Sequence, residues 1–545
     1  MTLMTKAAAL LMAISSMGFI SHAQTIPFSS SDLPIVVINT NGQSIPDDPK
    51  ITADMGVIFN GVGLRNNITD SFNNYNGKIG IEVRGQSSQM FPMKSYSLEL
   101  QDASGNSVDN SILGMPKESD WVMYAPYTDK TLMRNFLAYT MAREMGQWAA
   151  RCRYVEVVLN GDYVGVYVFM EKIKRNGNRV NVTKMGAGDI SGDALTGGYI
   201  FSLDKEATGW FSSYPPPNAP SASEQFDYVF PKPENIVPEQ KNYIKSYVDS
   251  FENALAGPQY QHPVNGVRRF ADLPSFIDFF IVNAVSRNVD AYRLSSFFHK
   301  DRNSKNPKII AGPVWDYDLA FRNADYCSGS SIEGWAYGFN YVCPGDYWQV
   351  PFWWDRLMTD TAFEGSLRCR WKELRQSSLR DTRMNQLIDS VNGLVAEAQQ
   401  RHFQRWPILG QYVWPNPAPI PTSYAGEISQ LKSWVSARLK WIDDNIPNMG
   451  PCRDWPQNQN GTMIVKIYPN PVSGRGAISL DSKNDQVIEI QVTDAVGRIM
   501  TIYQANARGG TNTYELDMKG WGAGIYFLRF MGAGGETVLK KVMKL

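Results

Sequence analysis

Arg287-Asn288-Val289-Asp290-Ala291-Tyr292-Arg293-Leu294-Ser295 runs into Ser296-Phe297-Phe298-His299-Lys300, a polar turn from Asp301 to Pro307, Lys308-Ile309-Ile310, and then Gly312-Pro313-Val314-Trp315-Asp316-Tyr317-Asp318. An aromatic strand, an Asn/Ser/Pro turn and a second apolar strand predict a hairpin. Such a hairpin folds the acids that follow it back beside the acid that precedes it, so that two carboxylate positions face one cavity. If residues 315–318 are an extended strand, Asp316 and Asp318 point one way and Trp315 and Tyr317 the other.

Phosphoryl transfer has use for this pattern, because it asks the protein to position charge rather than to form bonds. One acid orients the attacking hydroxyl, an oxygen five positions later helps to hold Mg²⁺, and an acid beyond a hairpin grips the metal. Ser295 follows Asp290 by five positions, and Asp316 and Asp318 follow the hairpin. Oxygen donors suit Mg²⁺ or Mn²⁺. The competing reading is local: Asp caps turns, and a Trp-Asp-Tyr-Asp run can be a solvated strand end.

Further upstream, Lys94-Ser95-Tyr96-Ser97-Leu98-Glu99-Leu100 alternates with apolar even positions apart from Lys94. The pattern predicts an inward ammonium seeking an anion, or else a lysine at the strand mouth that snorkels to water. Arg84-Gly85-Gln86-Ser87-Ser88 precedes it as a polar turn without Gly-x-Gly-x-x-Gly spacing. Phosphate held there must rely on Arg84, the hydroxyls of Ser87 and Ser88, and backbone amides. Residues 131–145 predict an amphipathic helix with Leu132, Met133, Phe136, Leu137, Met141 and Met145 on one stripe, capped by Thr128 or Asp129. Glu144 near its end and Glu171 after the strand Tyr163 to Met170 both remain open as partners for Lys94.

Several separated blocks resemble the spore-coat CotH kinases, an atypical protein kinase family. They are Gly80 to Tyr96, Asp120 to Tyr127, Asp129 to Asn135, Leu159 to Tyr167, Glu171-Lys172 and Gly312 to Asp318, in that order, within residues 33–375. The resemblance implies an α+β, two-lobed kinase-like fold that transfers the γ-phosphoryl group of ATP to Ser or Thr of an acceptor protein with Mg²⁺ or Mn²⁺. By matched position it implies Asp290 as the catalytic-loop aspartate and Asp316 as a metal ligand, with Asp318 as a second. Ser295 stands where many members carry Asn, a departure that puts metal preference and activity in question. The alternative expectation is an inactive kinase-like surface-binding or scaffold protein.

The 545 residues are 43% hydrophobic and 12% aromatic, which excludes wholesale disorder. Lys plus Arg equals Asp plus Glu at 53 each, so no global basic field recruits nucleic acid. Lys6, the apolar run Ala7 to Ile20 and Ser21-His22-Ala23 read as a signal peptide over residues 1–23, and no later run is long enough to span a membrane. The five cysteines cannot all pair within one chain; Cys327 and Cys343 flank a Gly/Ser-rich loop and predict a bridge. Beyond the leader only His262, His299 and His402 remain, with no Gly-x-Ser-x-Gly elbow to suggest a hydrolase.

Residues 24–455 read as the kinase-like unit. Helical periodicity runs from Phe363 to Ile446, broken at Pro415 to Pro421, and Trp353, Trp354 and Trp406 are expected in the core. Tyr214 to Ser223 reads as a Pro/Ser-rich surface insertion. A linker over 456–463 leads to short alternating strands over 464–545, at Ile464 to Tyr468, Gln486 to Thr493, Arg498 to Gln504, Thr511 to Asp517, Gly524 to Phe530 and Thr537 to Lys544, which predict a small β-sandwich. Tyr468-Pro469-Asn470-Pro471, Gly524 to Leu528 and Lys540 to Leu545 resemble the type A sorting domain of the type IX secretion system of Bacteroidetes. That resemblance implies recognition by the secretion machinery and delivery through the periplasm and outer membrane to the cell surface or medium.

Overall fold

The computed structural model describes residues 26–262, 264–447, 463–482, 485–495, 498–532 and 537–545. The leader read over 1–23, Cys452 and residues 456–462 of the expected linker lie outside the described residues. Mixed helices and sheets make the chain α+β.

Seven strands close into a barrel in the order Ile35–Asn39, Ile51–Ile58, Tyr75–Arg84, Ser95–Gln101, Asp120–Tyr124, Asp162–Glu171 and Cys152–Leu159. Six of its pairings are antiparallel, and the one that closes the ring is parallel, joining Ile35 to Glu156 and Ile38 to Leu159. The strands are rich in Val, Ile, Tyr and Met, which favours pleated structure buried on both faces. Asp162–Glu171 is buried over most of its length because helix Ala398–Arg405 covers it from outside.

The expected helix over 131–145 is Arg134–Glu144, and it corrects the expected amphipathic stripe. Arg134, Asn135, Leu137, Ala138, Tyr139, Thr140, Met141 and Ala142 are all buried, so the helix is enclosed on nearly every side rather than lying on a surface. Asp129 starts it by accepting the Arg134 N–H at 2.8 Å and pairing with the Arg134 guanidinium.

The second half carries a five-stranded antiparallel sheet in the order Trp210–Phe211, Gln225–Phe230, Tyr199–Leu203, Ser296–Lys300 and Ile310–Ala311. The expected hairpin is present in its last two strands, where Phe298 faces Ala311 and His299 faces Ile310. Helix Leu273–Ser286, largely apolar between Phe276 and Val285 and buried from Ser275 to its end, packs beside them. Helices Thr361–Arg375, Asp381–Leu394, Ala398–Arg405 and Tyr424–Asn445 fill the region of helical periodicity. Trp353 and Trp354 are 0% exposed and Trp406 5%, which makes them core rather than a ligand platform.

The C-terminal residues form a three-stranded and a four-stranded antiparallel sheet around their own apolar core of Val465, Ile478, Leu480, Ile490, Leu528 and Phe530. Arg475–Ser482 is a strand absent from the sequence reading; its alternating Ile478 and Leu480 are interior. Cys327 and Cys343 are bridged, with a Cα–Cα separation of 5.6 Å, Cys369 is also disulfide-bonded, and Cys152 is a buried free thiol.

Candidate active site

Helix Leu273–Ser286 ends at Arg287, whose φ of 46° reverses the chain into the turns that carry Asp290. Asn288 ties this turn to the acids beyond the hairpin. Its Nδ2 donates to the Asp316 carbonyl at 3.2 Å, and its Oδ1 accepts the Asp290 N–H at 3.1 Å. The Arg293 guanidinium grips the Asp290 carboxylate at 2.7 Å.

The run Trp315 to Asp318 is not the extended strand expected. The second hairpin strand stops at Ala311, and Asp316 sits at φ 63°, a left-handed conformation that an Asp adopts more readily than a bulkier residue. Helix Arg134–Glu144 imposes this turn: Tyr139 Oη accepts the Asp316 N–H at 3.2 Å, Asn135 Oδ1 accepts the Tyr317 N–H at 2.6 Å, and Tyr139 stacks on Trp315. Trp315 and Tyr317 are both interior. The turn nonetheless keeps the two acids close enough for each to act on the other's ionisation.

Burial pushes the Asp318 carboxyl well above the usual range, and the charges of Asp316, Asp290 and Asp129 push it further. Asp316 is also raised, by withdrawal of bulk water first and by Asp290, against the opposing charge of Arg84. The Asp316 side chain still reaches solvent, so the walls around it desolvate it without sealing it off. The charges of Asp290 and Asp316 both act on Asp318, while the Asp290 carboxylate itself pairs with Arg293.

Ser295 Oγ donates to Asp204 Oδ2 at 3.3 Å. Asp204 is absent from the residues that the sequence singles out. It follows strand Tyr199–Leu203, whose Leu203 pairs with Ser296, so the sheet register sets it beside Ser295 across 91 positions of chain. Burial raises its carboxyl to about 6, with added repulsion from Asp316, Glu206 and Asp227. The one signal in the sequence is a lone acid ending an apolar strand, which is informative only once the strand pairing is known.

The barrel contributes Arg84 from the end of Tyr75–Arg84. Its guanidinium lies 5.5 Å from the Trp315 ring centre, and burial lowers its pKa while Asp316 supports its charge. Ser87 and Ser88 occupy the short 3₁₀ turn Ser87–Met90, with Ser87 exposed and Ser88 half-buried. Lys94 precedes the strand Ser95–Gln101 instead of pointing inward from it, and its ammonium donates to the Gln89 carbonyl, closing the same turn. Neither open glutamate reaches it. Glu171 is fully buried and held by Arg151 through two hydrogen bonds at 2.8 and 2.6 Å, with Arg179 at 3.8 Å, and Glu144 pairs with Arg383. The local sequence leaves the partner of Glu171 open, because Arg151 lies 20 positions upstream and is brought to it by strand pairing.

Among the described residues, no three His, Cys, Asp or Glu side chains form a group that could hold a metal ion. The carboxylates of Asp316 and Asp318 would instead offer Mg²⁺ or Mn²⁺ the one or two protein ligands that such ions take, with phosphate oxygens and water completing the shell.

Residues 81–442 match the CotH kinase protein family. The chain belongs to that family. Residues 466–544 of this CotH family member match the secretion system C-terminal sorting domain, which marks the protein for type IX export to the cell surface or medium. No described helix is long and apolar enough to cross a membrane. No curated protein matches the chain. Among solved structures it is similar to dimeric latent PorU from Porphyromonas gingivalis, at 18% identity over 15% of this chain and 9% of that one, with a TM-score of 0.14. It is also similar to β-glucosidase from Listeria innocua in complex with gluconolactone, at 12% identity over 15% of this chain and 16% of that one, with a TM-score of 0.12. The chain thus spans less than a fifth of the length of either structure.

Proposed function

We propose that the protein is an exported kinase that moves the γ-phosphoryl group of ATP to Ser or Thr of an acceptor protein. The observation that supports this reading is that Asn288 ties the turn carrying Asp290 to the backbone of Asp316, with the Arg84 guanidinium over the neighbouring Trp315 ring. In this reading residues 24–455 form the working unit, residues 456–463 link it to the sorting unit over 464–545, and its two lobes are the barrel and the helical half. Asp290 orients the acceptor hydroxyl and takes its proton as the oxygen attacks. Arg84, Ser87, Ser88 and Lys94 hold the phosphates, and Asp316 and Asp318 hold Mg²⁺ or Mn²⁺, with Ser295 supporting from Asp204. When bound, the ion offsets the charge that develops on the transferring group.

A second reading, an inactive surface-binding or scaffold protein, is favoured by Ser295, whose hydroxyl is already engaged with Asp204 at the position where many family members carry Asn. The two separate on one measurement. Purified exported protein is incubated with γ-labelled ATP and Mg²⁺ or Mn²⁺, beside an Asp290→Asn variant. The kinase reading expects label on the protein or an added acceptor, and a fall of about 10²-fold or more in the variant. No label and no nucleotide binding with either metal overturns it in favour of the scaffold.

A further inference from the structure

Arg293 is 3% exposed, and every nitrogen of its guanidinium has a partner. One terminal nitrogen holds Asp290 at 2.7 Å, the other binds Asp346 and the Trp348 carbonyl at 3.1 Å each, and Nε donates to the Val289 carbonyl at 3.1 Å. The central carbon of the group lies 4.0 Å from the Phe339 ring centre. A buried planar cation held on all sides has one available orientation, and the carboxylate it grips is oriented with it.

The far partners of Arg293 flank Cys343. Phe339 begins the short helix Phe339–Val342, whose carbonyl at Phe339 accepts the Cys343 N–H at 2.8 Å. Beyond the cysteine, the Cys343 carbonyl accepts the Asp346 N–H at 3.2 Å and Gln349 Nε2 at 3.1 Å. Asp346 in turn accepts the Trp348 N–H at 3.0 Å. The loop that grips Arg293 contains no strand and only this short helix with the 3₁₀ turn Ala336–Gly338 before it, and its covalent anchor is the bond from Cys343 to Cys327. Cys327 belongs to the segment that continues from Asp318. The cross-link therefore joins the acid-pair segment to the loop that sets Arg293.

We propose that Arg293 is the positioning residue for Asp290, and that the Cys327–Cys343 disulfide keeps the Arg293 loop in register, so that the site is complete only when this bond is closed. The inference rests on the kinase reading for its consequence and on the ion-pair geometry for its mechanism. Opening the bond returns loop entropy to the segment 328–342 and lets Asp346 and Trp348 drift from the guanidinium. Asp290 then samples orientations that do not face an acceptor hydroxyl, which lowers turnover and leaves nucleotide binding intact.

The test uses the full exported chain as wild type, Arg293→Lys, Asp346→Asn and the Cys327→Ser/Cys343→Ser double variant. Label transfer from ATP is expected to show kcat reduced about 10- to 100-fold in each variant, with KM for ATP within about twofold of wild type. Hydrogen exchange measured by mass spectrometry is expected to be about fivefold or more faster in residues 288–296 for Asp346→Asn and the double cysteine variant, with residues 35–58 unchanged. If the wild type transfers no label, the kinase reading falls and the exchange measurement alone decides the clamp. Exchange in 288–296 equal to wild type in both variants overturns the inference, and so does a rise in KM with kcat unchanged. Should the double cysteine variant fail to fold, Asp346→Asn, which preserves side-chain volume, decides between the two outcomes.

Discussion

Glu224 and Glu252 are interior acids in the wall behind the five-stranded sheet, and their protons link the fold to pH. Burial raises Glu224 to about 8, with Glu252 adding repulsion, and burial raises Glu252 to about 7 against hydrogen bonds from Trp353 and Ser212. Trp353 Nε1 donates to Glu252 at 2.9 Å and Ser212 Oγ at 2.8 Å. A carboxyl whose folded pKa exceeds its unfolded value stabilises the fold fully below the unfolded value, and this contribution is lost as pH rises through the folded one. The window therefore runs from 4.5, the ordinary Glu value, up to about 8. The melting temperature of the wild type is expected to fall across that window, and Glu224→Gln to flatten the decline. Calorimetry at several pH values checks it; a melting temperature that climbs from pH 5 to 8 contradicts it. Asp318 follows the same sign, since its pKa is also raised, but metal and nucleotide would reverse its preference by favouring the ionised form.

The turn between strands Tyr75–Arg84 and Ser95–Gln101 shows how an element places its residues. Gly85 has φ 94°, and a methyl group there would collide with Ser88 Oγ, so Gly85→Ala forces both a disfavoured backbone and a displaced serine. The expected outcome is a loss of about 1–2 kcal/mol in stability together with weaker ATP binding, read by thermal melting and by nucleotide titration. Unaltered ATP affinity would separate this turn from the phosphates. The element also marks where sequence patterns suffice. The hairpin is legible because turn chemistry and alternation act over a few neighbours, and the Cys327–Cys343 bridge because its loop is short. Asp204 is hidden because only the register of Leu203 with Ser296 brings it to Ser295. Glu171 is open to misassignment because alternation reports which face is interior and says nothing of Arg151 waiting there. The left-handed turn at Asp316 has no local signal because Tyr139 and Asn135, far upstream, override the strand preference of Val314 to Tyr317.

At the scale of the whole molecule, two apolar cores among the described residues share no residue, one within residues 33–442 and one within 465–542. Removal of residues 463–545 is expected to leave the melting transition of the larger part within about 2 °C, because no buried apolar group of that part loses a neighbour in its own core. The same truncation is expected to strand the protein in the periplasm, as judged by cell fractionation. Delivery to the surface without those residues would remove the sorting role. The parallel seam between Ile35–Ile38 and Glu156–Leu159 carries a consequence for synthesis. The first barrel strand to leave the ribosome has no second edge to zip onto until the hairpin ending at Glu171 has emerged, and non-local pairings of this kind form slowly. With one edge of its opening strand still unpaired, the barrel stays an open sheet until that hairpin arrives, so ring closure is expected to be a late step of folding.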